Sequence, residues 1–109
     1  MDKQFSVRLD DIAFDCDNAL KMGNFYAELL GWNKIVHNDY CVSMISPEQN
    51  IRFLFVKEDD FVPPVWPEKE GTQQKMLHLD FTVSDLKSAV HHAISCGAIV
   101  ATTQYRPEQ

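Results

Sequence analysis

Two segments, one in each half of the chain, carry the same apolar stripe, and that repeat limits the fold more than any other feature. Met22, Phe25, Tyr26, Leu29 and Leu30 fall at i, i+3, i+4, i+7 and i+8, and so do Leu86, Ala89, Val90, Ala93 and Ile94. This spacing is that of a helix turning one face to a core. Asn18 is placed to cap the first helix, and Asp85 or Ser84 the second; Gly31 and Gly97 stop them. Ahead of each helix the period changes to two. In residues 7–16, Ile12, Phe14 and Cys16 alternate with Asp11, Ala13 and Asp15, and residues 75–83 read as a strand as well. A strand–helix unit that occurs twice predicts an α+β fold, each helix lying on the outer face of a sheet through Met22, Phe25, Leu29 and through Leu86, Val90, Ile94.

After the first helix come three short strand candidates, residues 33–37, 40–45 and 51–57, parted by Asn38-Asp39 and by residues 46–50. Connections this short favour antiparallel hairpins. Residues 58–74 form a connector in which Pro63, Pro64 and Pro67 exclude helix and central strand and favour an extended path. Phe61 and Trp66 within it have area to bury, so the connector is expected to lie across the body. Residues 98–104 are one more strand, which leaves the second half without the last two strands of the first. The expected organisation is a single domain over residues 1–109, with modules at 5–57 and 75–109.

Ten Lys and Arg against sixteen Asp and Glu give a net charge of -6, and the basic residues are scattered singly, so nucleic acid is not an expected partner. No apolar run reaches the roughly 20 residues of a membrane-spanning helix. The opening Met1-Asp2-Lys3-Gln4 has no export pattern, and the cytoplasm is the expected location. Cys16, Cys41 and Cys96 form no CxxC and cannot all pair, which fits reduced thiols, and no catalytic context surrounds Cys41 or Cys96. Phosphate loops, GxSxG and HExxH are missing.

The blocks FDCDNALKMGNFYAELLGW, FVPPVWP and LHLDFTVSDLKSAV, with CGA after the last, occur in an order that resembles a glyoxalase-like protein of the vicinal-oxygen-chelate superfamily (glyoxalase, bleomycin-resistance, dioxygenase). The resemblance implies paired βαβββ modules enclosing a small-molecule cavity, and in many members one divalent metal held by four inner strands. The family's His, seven residues before a helix cap, corresponds to His78 in the second module and to Asp11 in the first. Its Glu or Gln on the last strand of the first module corresponds to Val56, which has no donor atom. Its last Glu falls beyond Gln109. Asp11 and His78 are then the metal ligands the resemblance implies, short of the three protein ligands of a catalytic zinc. One divalent ion (zinc, nickel, manganese or iron) and no ion at all both remain open.

By the strand period Asp80 and Thr82 share a face with His78, while Leu79 and Phe81 turn towards the helix layer. Asp15, Asp80, Thr82, Val56 and Trp66 are the expected cavity-lining residues. Without a metal, His78 is expected to bond Asp11 or Asp80. Trp66 either caps a ligand pocket or fills a surface groove, and Trp32 plugs the core at the helix end. His91 and His92 belong to a solvated face, and the sequence gives His37 no partner. No catalytic residue is assigned. Two functions follow from the resemblance: a metal-assisted lyase or isomerase acting on a small oxygenated substrate, or a metal-free protein that sequesters a small molecule as bleomycin-resistance proteins do. Dimers are common in the superfamily, and a homodimer would complete the sheets; a stand-alone dimerisation or fusion module is the third alternative.

Overall fold

A sheet ends where its pairing ends, and this governs the boundaries here. The computed structural model describes residues 5–48 and 50–102, with elements β1 (Ile12–Cys16), α1 (Ala19–Leu30), β2 (Lys34–Asn38), β3 (Cys41–Ile45), β4 (Arg52–Lys57) and α2 (Leu86–Cys96). The chain divides into two units, Met1–Asp59 and Asp60–Gln109. The class is α+β, as the repeat predicts.

The first unit is a βαβββ module. Its strand order is β1-β4-β3-β2, with β1 parallel to β4 and both other pairs antiparallel. The hairpins follow from their turns: Asn38 Oδ1 accepts from Tyr40 N–H at 2.8 Å, and Ser46 N–H donates to Ile51 O at 2.8 Å. The expected strand over residues 7–16 is cut back to Ile12, whose partner Phe53 is the second residue of β4. Val7 and Leu9, before it, are 73% and 74% exposed.

Asn18 caps α1 with its own extended backbone (φ -149°), its Oδ1 accepting from Lys21 N–H at 3.0 Å. Gly31 ends the helix in the left-handed region at φ 73°, a conformation that strains side chains with a Cβ. Paired residues share a face of a sheet, so Phe14, Phe55 and Val42 form one row and Ile12, Phe53 and Met44 the next. α1 lies on that face, and its two buried residues are Ala19 and Gly23. The large residues of its stripe are half-buried around them. Phe55, Val42, Met44 and Phe53 are buried, and Tyr26 stacks on Phe55 with ring centres 5.3 Å apart. Trp32 meets Phe53 at 5.3 Å, the plug at the helix end that the sequence predicts.

In the second unit Asp85 caps α2, accepting from Ser88 N–H at 3.3 Å, and Gly97 ends it. Two expectations are corrected here. Residues 75–83 form no strand, and neither do 98–102; residues 103–104 of the last expected strand lie outside the described residues. Alternating residues favour extended backbone, but a strand also needs a neighbour for its N–H and C=O groups, and none of the described residues pairs with these. For the same reason α2 has no buried residue, and Leu86, Val90 and Ile94 are 70%, 40% and 51% exposed. The connector is helix-free as expected, yet it folds back on itself: Val65 N–H donates to Gln73 O at 2.8 Å. Among the described residues no helix is long and apolar enough to cross a membrane.

Candidate functional site: the sheet face away from α1

Because Val42 meets α1, the residues alternating with it face the other way. Two rows of cross-strand partners make up that second face. Asp15, Val56 and Cys41 are consecutive partners in one, and Ala13, Leu54, Ser43 and Ile35 in the other. Asp11 lies directly before β1 and is half-buried. Leu54 and Val56 are half-buried and form an apolar floor, with exposed Asp15 at the β1 edge.

The β2 edge carries an imidazole. A bulge between Val36 and Asn38 shifts the register, so that Val36 pairs with Val42 while Asn38 pairs with Cys41. Such a bulge opposes two residues to one and re-aims a side chain. His37 thereby reaches Ser43, with Nε2 2.7 Å from Oγ. Ser43 is buried, so this contact satisfies a hydroxyl that would otherwise be costly there. The face thus offers an apolar floor, a carboxylate at one edge and a hydrogen-bonded imidazole at the other.

Cys16 and Tyr26 belong to the helix face. Burial pushes the Cys16 thiol up, and Asp17 and Asp15 add to it, while a hydrogen bond from the Asn18 backbone acts in the opposite sense. Burial also raises the Tyr26 phenol.

Of the residues predicted from sequence, the first unit brings Asp15 and Val56 side by side and places half-buried Asp11 just before β1. The second unit holds His78, Asp80, Thr82 and Trp66. His78 Nε2 lies 3.8 Å from Asp80 Oδ2, both side chains being exposed. That separation is too long for a hydrogen bond, and no strand sets the two side chains on a common face. Trp66 carries the Lys75 ammonium over its ring at 3.9 Å. His37, Ser43, Cys41 and Leu54 are additions that the sequence reading did not make.

The donor set does not fit the metal that the superfamily implies. Val56 stands between Asp15 and Cys41 where a donor is needed, and among the described residues no three His, Cys, Asp or Glu side chains are grouped to hold an ion. Over residues 11–109 the sequence matches the family described as the glyoxalase-like domain. The chain belongs to that family. Comparison with curated proteins and with solved structures gave no match. As a glyoxalase-like domain it is a small-molecule protein of the vicinal-oxygen-chelate superfamily, and its first unit supplies the βαβββ module.

Proposed function

We propose that this glyoxalase-like domain binds a small molecule against the sheet face away from α1 and holds it without a metal ion, in the manner of the drug-sequestering bleomycin-resistance proteins. The observation that carries this reading is the row Asp15, Val56, Cys41, in which an apolar side chain occupies the donor position beside a carboxylate. A ligand lays its apolar body on Leu54 and Val56 and turns a cationic end to Asp15. Apolar contact contributes roughly 25 cal/mol per Å², whereas an exposed ion pair contributes about 0–1 kcal/mol. Affinity therefore comes from the floor, and charge selects among ligands. A net charge of -6 also favours the approach of cations.

Calorimetry with flat cationic aromatic compounds and their uncharged analogues tests this. Binding of the cation is expected to be unchanged by a chelator and to weaken by roughly two- to fivefold in Asp15→Asn, with the neutral analogue unaffected. Binding that the chelator abolishes would instead support a metal-assisted lyase or isomerase. That second reading draws on His78, an exposed imidazole with the Asp80 carboxylate 3.8 Å away. It would use His78 as a ligand of zinc, nickel, manganese or iron, together with further donors.

We infer also that the domain is a homodimer. Leu86, Val90 and Ile94 form an exposed apolar stripe on α2, and β1 and β2 are edge strands of the sheet. Sedimentation is expected to give a dimer that Ile94→Glu shifts to monomer. A wild-type monomer at micromolar concentration would contradict the inference.

A further inference from the structure

His92 and Cys96 are one turn apart on α2, and their side chains meet: Cys96 Sγ lies 3.7 Å from His92 Nε2. That separation is close to the one a metal imposes. With zinc–sulfur and zinc–nitrogen bonds of about 2.3 Å and 2.0–2.1 Å at a tetrahedral angle, the two donors stand about 3.6 Å apart. Two donors at i and i+4 on one helix face can share an ion, as the paired histidines of HExxH do.

The turn is also held in shape. Gly97, in the left-handed region at φ 118°, donates its N–H to Ala93 O and Ile94 O, and Ala98 N–H donates to Ala93 O at 3.0 Å. Ser95 Oγ donates to His92 O at 2.6 Å. The donors therefore need little reordering to take up an ion, which lowers the entropic cost of binding. His92 is exposed and Cys96 half-buried, so an ion can reach both. At 100° per residue Cys96 lies at the margin of the apolar stripe beside Ala89, and exposed His92 lies about 40° farther from it.

We propose that His92 and Cys96 form a bidentate site for a borderline divalent cation, zinc or cobalt, on the last turn of α2. Imidazole nitrogen and thiolate sulfur are the donors such ions prefer. On binding, the Cys96 thiol releases its proton to solvent as the sulfur–metal bond forms, and water fills the other positions. Two protein ligands make the affinity moderate, in the micromolar range or weaker. The site lies in the second unit and does not depend on the ligand reading of the sheet face.

The test is a cobalt(II) titration of the reduced full chain, read by thiolate-to-cobalt charge-transfer absorption. A saturable band that fits one cobalt per chain and is displaced by zinc is expected. Cys96→Ser should abolish it, His92→Ala should weaken binding by about tenfold or more, and Cys41→Ser should leave it intact. In the unmutated protein zinc should slow alkylation of Cys96, located by peptide mass mapping, but not that of Cys41. No band, a band that survives Cys96→Ser, an unchanged affinity in His92→Ala, or alkylation of Cys96 indifferent to zinc would each overturn the proposal.

Discussion

Phe55→Ala is expected to destabilise the first unit by about 3–5 kcal/mol, the cost of truncating a buried aromatic side chain. Phe55 is 0% exposed and touches rings on three sides: Phe14 stacked at 5.5 Å, Tyr26 stacked at 5.3 Å and Phe53 edge-on at 6.4 Å. Alanine would leave a cavity walled by β1, β4 and α1, whose strands and helix cannot close together without breaking the ladder. The whole stability of a domain is about 5–15 kcal/mol, so a large share is lost. At about 4–8 °C per kcal/mol the melting temperature should fall by more than about 10 °C. Val56→Ala, one residue along β4 but on the other face and half-buried, should cost much less. Thermal unfolding by circular dichroism measures both, and equal losses would mean that the helix side of the sheet is not the core.

The second large effect is expected at Gly23, with a sign opposite to helix propensity. In an exposed helix interior, replacing glycine by alanine gains about 1 kcal/mol. Here a Cβ on Gly23 would sit 2.6 Å from Val42 Cγ1 and 3.2 Å from Val42 Cβ. A β-branched side chain within β3 has no free rotamer to retreat into, and Val42 is fully buried. Overpacking typically costs about 1–3 kcal/mol against that gain of about 1 kcal/mol, so Gly23→Ala should lower stability, by up to about 2 kcal/mol. Removing the obstacle should relieve it. In a double-mutant cycle Gly23→Ala and Val42→Ala together should cost less than the sum of each alone, by about 0.5–3 kcal/mol. A stabilising Gly23→Ala would place α1 farther from β3 than described.

How much of this was legible in the sequence depended on whether the signal was local. Asn18, Gly31, Asp85 and Gly97 gave both helices to within a residue, because caps act on backbone groups a few residues away. The stripe of large apolar residues located the buried side of α1 but passed over Ala19 and Gly23, since close approach of a helix to a sheet selects the smallest residues. Residues 75–83 alternate as a strand should, and pairing, which alternation cannot supply, decided otherwise. In the candidate site, Asp15 and Val56 were readable from the strand period. The His37–Ser43 contact was not: a uniform hairpin through the Asn38–Cys41 pair would set His37 opposite Val42, and only the bulge turns it to the other face. The cross-strand neighbours of Val56 depended likewise on registers fixed by tertiary pairing.

The central claim is that the sheet face away from α1 receives a small molecule, and the most direct measurement is backbone amide NMR during titration with a cationic aromatic ligand, repeated with a chelator present. The account predicts shifts concentrated at Ala13, Asp15, His37, Cys41, Ser43, Leu54 and Val56, the same in both conditions, with the outward residues of α1 unmoved. Shifts confined to α2 or the connector, or shifts on the sheet that vanish with the chelator, would contradict it.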